Sequence, residues 1–248
     1  MSRFTSSRIL ITGAASGIGA AAARLLGEEG ADLVLMDRNA EGLASFPGAT
    51  HIIGDVSDPA LWIDADLSGL THALVNAGIG AGGPIEDMSF DEWRRVMSVN
   101  LDGAFLSLQA AMRAIRATGK GGAIVVTASA AGIKPELGIA AYASSKAAVI
   151  QLARVAAKEG AAAGIRVNAI APGGVETAIW SSQPFFQELV TAQGGSEEAA
   201  YRAISSAGTP LRRFAKPEEI AAQIAFLLSD DCAFTTGSVL VSDGGYTL

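Results

Sequence analysis

Cysteine is all but missing. Cys232 stands alone, so no internal disulfide can form and the fold must rest on an apolar core, as suits a reducing, cytoplasmic setting. Histidine is nearly as scarce. His51 and His72 are the only two, they show no ligand spacing, and no metal site is expected. Positive charge is in deficit, with 18 Lys and Arg against 25 Asp and Glu and a net charge of −7. That balance argues against nucleic acid and against an anionic membrane surface as partners. No apolar run approaches the length of a membrane span. Residues 1–7 hold no apolar stretch of signal-peptide length. Aromatics are few, at 6%. What remains is a chain of 248 residues, half of them hydrophobic and 29 of them glycine, enough for one domain over 1–248 built by close packing of small helices on a sheet.

The first forty residues organise the rest. Arg8 to Thr12 is a short apolar strand, Gly13-Ala14-Ala15-Ser16-Gly17-Ile18-Gly19 follows at once, and Ala20 to Glu29 reads as a helix closed by Gly30. Strand, glycine turn and helix is the order a nucleotide-binding βα unit requires. Gly13 allows the tight turn, Gly17 lets backbone approach a pyrophosphate, and Gly19 lets the helix lie close on the sheet. The helix start, with unpaired N–H groups and the positive end of its dipole, attracts phosphate. The next strand, Asp32 to Met36, ends at Asp37, eighteen positions after Gly19. That is close to the ~20 residues expected for a carboxylate on the adenosine ribose. Its charge favours NAD and opposes a 2′-phosphate, although Arg38 beside it is able to pair with one.

Further along, strands are predicted over 50–54, 73–75, 123–127, 165–170 and 239–242. Helices are predicted over about 60–67, from Ser89 with a Ser89/Glu92 capping box, and over 99–118, 141–163, 184–193 and 217–229. This alternation predicts a single doubly wound Rossmann domain: an α/β, mostly parallel sheet of about seven strands with helices on both faces. Gly13, Asp37, Asp55, Asn76, Ser129 and Pro172 all fall just after a strand, so they should converge on the carboxyl edge of the sheet, where such folds bind ligands.

Tyr142 and Lys146 are spaced i, i+4 and share one helix face. A free phenol has a pKa of ~10, and a neighbouring ammonium should lower it. Bringing it down by three units needs about 4 kcal/mol. Ser129, thirteen residues earlier, is placed to hold a substrate oxygen while the phenol exchanges a proton with it.

These residues together, with Thr12-Gly13-x-x-x-Gly17-Ile18-Gly19, Asn76-Ala77-Gly78, Asn100 and Pro172-Gly173, resemble the short-chain dehydrogenase/reductase family in its compact classical form, over essentially the whole chain. The resemblance implies that Tyr142 is the general acid/base, that Lys146 lowers its pKa and binds the nicotinamide ribose, that Ser129 orients the substrate oxygen, and that Asn100 holds a water in a proton relay. It places Gly13, Ser16, Gly17, Ile18 and Gly19 at the pyrophosphate side of the cofactor, and Asp37 and Arg38 at the adenosine ribose. Asp55 and Val56 would cradle the adenine, with Asn76 and Gly78 flanking the adenosine side. Pro172, Gly173, Val175 and Thr177 would lie by the carboxamide. Two departures touch the adenine side: Val75 stands where the family usually has a first asparagine, and the segment from Asp55 to Asn76 is short.

Substrate choice is expected to lie in a lid over about 177–210 and in the loop 130–139, with Trp180, Phe185 and Phe186 as an apolar wall and Lys134 and Glu136 near the mouth. The lid carries no cluster of Lys or Arg, which points to an uncharged secondary alcohol or ketone, with cyclic alcohols, diols and sugars all open. The alanine-rich helix from Ala141 reads as apolar nearly all round and so as buried on two sides, and the resemblance implies a homotetramer, a dimer of dimers. Two other readings stay open: an NADPH-dependent reductase of 3-oxoacyl thioesters, opposed by Asp37 and the acidic balance, and a non-catalytic NAD-sensing protein, opposed by the intact Ser129, Tyr142 and Lys146.

Overall fold

The computed structural model describes residues 2–181 and 183–248, with the backbone alone at Ala207. Met1, at the start of the segment read for a leader, and Ser182, inside the expected lid, lie outside the described residues. Seven strands form one sheet in the order β3-β2-β1-β4-β5-β6-β7, every neighbour parallel. They are β1 (Arg8–Thr12), β2 (Asp32–Asp37), β3 (Thr50–Ile53), β4 (His72–Val75), β5 (Gly122–Thr127), β6 (Ile165–Pro172) and β7 (Val239–Ser242). The chain builds outward from β1 to β3, then returns to the other side of β1 with β4. Strand order therefore reverses between β1 and β4, and the crevice above their carboxyl ends is the natural ligand site.

The inner strands are apolar on both faces because both faces are covered, while the edge strands β3 and β7 stay partly exposed. In β1, Leu10 packs with α5 (Gly103–Thr118) and α6 (Ala140–Gly160), through Leu108, Ile115, Val149 and Ala153. Ile9 and Ile11 point the other way, to α1 (Gly17–Glu28) and α10 (Pro217–Leu228), through Leu26, Ile220 and Ile224. The alanine-rich α6 is not apolar all round, as its sequence suggested: Gln151, Arg154, Lys158 and Glu159 face outward with Val155.

The remaining helices are α2 (Ala40–Leu43), α3 (Pro59–Asp64), α4 (Phe90–Met97), α7 (Ala178–Ser181), α8 (Pro184–Ala192) and α9 (Glu197–Gly208). Asp58 caps α3 by accepting from the Ala60 N–H at 2.9 Å. Ser89 caps α4 at the Glu92 N–H, 3.1 Å, but the Glu92 carboxylate closes no capping box because it pairs with Arg95 at 2.7 Å. The long helix expected over 99–118 starts earlier. It continues α4 through a π turn, Ser98–Asp102, into α5. The segment expected to carry one helix carries three, α7, α8 and α9, gathered around a small core of Phe186, Ala200, Tyr201 and Phe214.

His72 has a stability consequence. Its Nδ1 meets Thr71 Oγ1 at 2.8 Å, and the Phe4 ring packs edge-on at 5.9 Å. Burial, with Arg166 nearby, pushes its pKa from 6.5 down to about 4. The folded state thus holds the imidazole neutral while the unfolded chain takes up a proton below 6.5, so stability falls as pH drops from 6.5 to about 4. The full loss is at most about 3 kcal/mol. Urea unfolding at neutral and acid pH should show it, and His72→Gln should flatten that part of the slope; an unchanged slope would place the loss in the carboxylates.

Candidate active site

The glycine turn is built by exclusion of side chains. A Cβ on Gly19 would sit 2.0 Å from the Gly13 carbonyl oxygen, so only glycine lets α1 start this close to the end of β1. Gly13 and Gly17 both have positive φ, +67° and +54°, which L side chains avoid. Across the crevice Gly17 faces Thr177, whose Cγ2 is 3.1 Å from where its Cβ would be. Ser16 precedes α1 exposed and makes no cap bond, and no acidic residue opposes an anion in the first turn. Ile18 packs into the core below.

Asn76 acts as a staple. Its N–H and that of Ala77 donate to Thr12 Oγ1 at 2.9 and 3.1 Å, its amide donates to the Thr12 carbonyl at 3.1 Å, and Thr127 Oγ1 donates to its Oδ1 at 3.2 Å. The ends of β1, β4 and β5 are thereby locked together. Strand-end threonines carry no spacing signal, and Thr12 and Thr127 were missed as partners.

On the adenosine side the Asp37 oxygens accept from the Ala15 and Asn39 N–H groups, both at 3.0 Å. Each keeps a lone pair for a ligand. Arg38, 70% exposed, turns to Asp55 at 3.7 Å. Burial pushes the Asp55 carboxyl up, but two hydrogen bonds from Ser57 and the Arg38 charge outweigh it and the net direction is down. The Val56 side chain is wedged against Gly103 at the start of α5, and its carbonyl accepts from Trp62 Nε1 at 2.9 Å.

The reaction side forms one wall. Lys146, 4% exposed, donates to the Thr127 carbonyl at 2.9 Å, and its Nζ lies 5.8 Å from the Tyr142 ring centre. Ser129 Oγ accepts from the Ala131 N–H at 3.2 Å, and the Ser129 hydroxyl acts on the Tyr142 phenol to favour its ionised form. Gly78 closes the wall: a Cβ there would lie 3.3 Å from both Lys146 Nζ and Asn100 Oδ1. Asn100, in the π turn, accepts from the Ile79 N–H at 2.8 Å and donates to the Ile79 carbonyl and Ser145 Oγ at 3.0 and 3.1 Å. Such turns cluster at functional sites.

One electrostatic expectation is corrected. The Tyr142 phenol is raised from its ordinary pKa, because burial outweighs the opposing Ser129 hydrogen bond. Burial also brings the Lys146 ammonium down from 10.5 to about 8. Desolvation penalises both charged forms, and in this chain it dominates the pair.

Beyond β6, Gly173 packs on Asp243, Val175 is buried beside Ala215, and Thr177 opens the lid. Trp180 packs on Phe214 with the rings tilted, centres 5.0 Å apart, and meets Phe185 edge-on at 6.2 Å, with Phe185 half exposed. Phe186 does not join an apolar substrate wall. It is fully buried against Tyr201 at 4.7 Å, inside the lid's own core. A surface hollow lined by Ser6, His72, Lys120 and Arg166 among others lies at the opposite, amino-terminal edge of the sheet. The glycine turn, Asp37, Tyr142 and Lys146 do not line it.

The residues present suit a dinucleotide. The glycine turn would be filled by any Cβ, the space between Gly17 and Thr177 is narrow, and the buried Lys146 ammonium has three donors but a single carbonyl as acceptor among the described residues.

Comparison with known proteins agrees with this geometry. A family model described as enoyl-(acyl carrier protein) reductase matches residues 13–247. The chain is 38% identical to a cis-4-hydroxycyclohexanecarboxylate dehydrogenase of Sinomonas cyclohexanicum, over 96% of this chain and 95% of that one. It is 37% identical to a cyclohexanol dehydrogenase of Acinetobacter sp. strain SE19, over 99% and 96%. The crystal structure of a short-chain type dehydrogenase/reductase from Mycobacterium marinum superposes with a TM-score of 0.83 at 34% identity, covering 98% of this chain and 96% of that one.

Proposed function

The chain belongs to the short-chain dehydrogenase/reductase family, and from that premise we propose that it interconverts a ring-borne secondary alcohol and its ketone with NAD. That it is an oxidoreductase acting on CH–OH follows from its relatives; the ring, the cofactor and the residue roles are our reading. The observation that carries it is the wall formed by Ser129, Tyr142, Lys146 and Asn100 around Gly78.

When bound, a nicotinamide would supply the hydride acceptor or donor. Tyr142 takes the proton of the alcohol, or returns it to the ketone oxygen, while Ser129 holds that oxygen. Lys146, held by the Thr127 carbonyl with its ammonium 5.8 Å from the Tyr142 ring centre, would offer its remaining donors to the ribose of a bound cofactor. Both N–H donors of the Asn100 amide are engaged, by the Ile79 carbonyl and Ser145 Oγ, while its Oδ1 accepts only the Ile79 N–H, so a relay water would meet the remaining lone pair of Oδ1 or the backbone of the π turn. Gly13, Ser16, Gly17, Ile18 and Gly19 take the pyrophosphate, and Asp55, Val56, Asn76 and Gly78 the adenosine. Pro172, Gly173, Val175 and Thr177 take the carboxamide end, and Trp180 and Phe185 meet the substrate. Two relatives named for cyclohexane-ring substrates support the ring. The lid's one basic residue, Arg202, is paired with Glu198 at 2.7 Å, which leaves nothing there for an acidic carrier.

Asp37 supports NAD. Oxidation of a panel of ring alcohols, followed by NADH absorbance against NADPH, tests both halves of the reading. Asp37→Ala should shrink the preference for NAD in kcat/KM by about 10–100-fold, since it removes a like charge from the position of a 2′-phosphate. An unmoved preference would hand that role to Arg38. Among the described residues no helix is long and apolar enough to cross a membrane, and a cytoplasmic homotetramer, with Phe105 of α5 and Val155 of α6 on the contact face, completes the proposal; sedimentation tests the assembly.

A further inference from the structure

The C-terminal segment after β7 reaches back over the site. Asp243 packs on Gly173, and its two oxygens accept from the Gly245 and Thr247 N–H groups, both at 2.8 Å. The Gly244 carbonyl accepts from the Leu211 N–H at 3.1 Å, just past the lid. Tyr246 then meets the loop that follows Ser129. Its carbonyl accepts from Lys134 Nζ at 2.8 Å, the same ammonium sits 4.5 Å over its ring, and its hydroxyl bonds the Glu136 carboxylate. Burial and Glu136 both raise the Tyr246 phenol, so it stays a neutral donor.

That loop is held at three places. Its start lies on the α6 backbone, where a Cβ on Gly132 would come within 2.7 Å of Lys146, the Gly138 carbonyl accepts from the Gly83 N–H at 2.7 Å, and Lys134 with Glu136 are fixed by Tyr246 between them. Ala130 at its start is buried, but Ile133 and Leu137 are exposed, so the outer half of the loop has no core of its own. Among the described residues the Tyr246 contacts are its only charged ones, and they come from the segment that also touches Gly173 and the end of the lid.

We propose that Tyr246 is a positioning residue for the substrate side of the site: by holding Lys134 and Glu136 it fixes the loop that begins at Ser129, and so sets how tightly the alcohol or ketone binds. This rests on the reading of Ser129 given above. In the full-length enzyme Tyr246→Ala should raise KM for cyclohexanol, or for the best ring alcohol of the panel, by about 10-fold, as expected when a positioned group is released. The change in kcat should stay below about threefold. The dissociation constant of NADH, read by fluorescence, should stay within about twofold. Tyr246→Phe keeps the ring over Lys134 and should restore most of the KM. Lys134→Met, which leaves the C-terminal segment itself intact, should match Tyr246→Ala. A KM within twofold of wild type in both Tyr246→Ala and Lys134→Met, or NADH affinity weakening in step with KM, would overturn the assignment. A wild type that binds NADH but turns over no ring alcohol or ketone would overturn the reading of the site and this claim with it; wild-type turnover with unchanged variants overturns this claim alone.

Discussion

Tyr142→Phe is expected to lower turnover by roughly 10³–10⁴-fold, the range that a positioned acid or base contributes, with NADH affinity changed less than about threefold. The substitution keeps the ring, its volume and its place beside Lys146, and deletes one hydroxyl. Ser129 retains its bond from the Ala131 N–H, so the substrate-side loop keeps its start. The raised phenol gives the loss a direction in pH. In ketone reduction the phenol donates its proton and is already in the required form. In alcohol oxidation it must first be deprotonated, so the wild-type oxidation rate should climb with pH while the reduction rate does not. Steady-state absorbance of NADH in both directions measures this, alongside fluorescence titration of NADH for binding. A phenylalanine variant that keeps a tenth of the activity would remove Tyr142 from the chemistry.

The parts of this site that could be read in advance are those where one residue type answers a local geometric demand. Gly13, Gly17 and Gly19 announce a turn because no other side chain fits, as the 2.0 Å approach at Gly19 shows. Tyr142 and Lys146 share a face because a helix repeats every ~3.6 residues, and Asp37 follows a strand whose continuous apolar run admits only a doubly covered sheet. The parallel sheet follows from strands alternating with helices, but the order in which the strands pair does not. What stayed hidden depends on partners distant in sequence. The π turn at Ser98–Asp102 leaves no mark in the pattern, since Asn100 reaches Ile79 and Ser145 only after folding. Helix α9 has a weak stripe, Ala200, Tyr201 and Ile204, which becomes a core only against Phe186 and Phe214. Its cap, Ser196 accepting from the Ala199 N–H at 3.2 Å, was the available signal. The direction of the Tyr142 shift was misjudged for the same reason. Spacing shows that an ammonium is one turn away, but the desolvation that opposes it is a property of the packed wall.

Lys146→Met should therefore do two opposite things. Activity should fall at least as far as in Tyr142→Phe, because the charge that favours the phenolate and the donors facing the ribose both go. Stability should rise. The ammonium is nine-tenths or more buried with one carbonyl as acceptor, and burial depresses its pKa from 10.5 to about 8. Below about 8 the folded chain carries a proton at an unfavourable site that the unfolded chain carries freely, a cost of about 3 kcal/mol. Between 8 and 10.5 the unfolded state binds more protons, so wild-type stability should increase with pH across that window and level off above it. Methionine has nearly the same length, needs no proton and fills the same space, so the variant should be more stable than wild type near neutral pH by roughly 1–3 kcal/mol and should lack the alkaline rise. Denaturant unfolding of both proteins from neutral to strongly alkaline pH measures the difference. Saturating NADH should narrow it, because a ligand that accepts from the ammonium stabilises only the wild type. A variant less stable than wild type at neutral pH, with the alkaline rise intact, would mean that Lys146 is held by more than the Thr127 carbonyl and that its burial carries no strain to release.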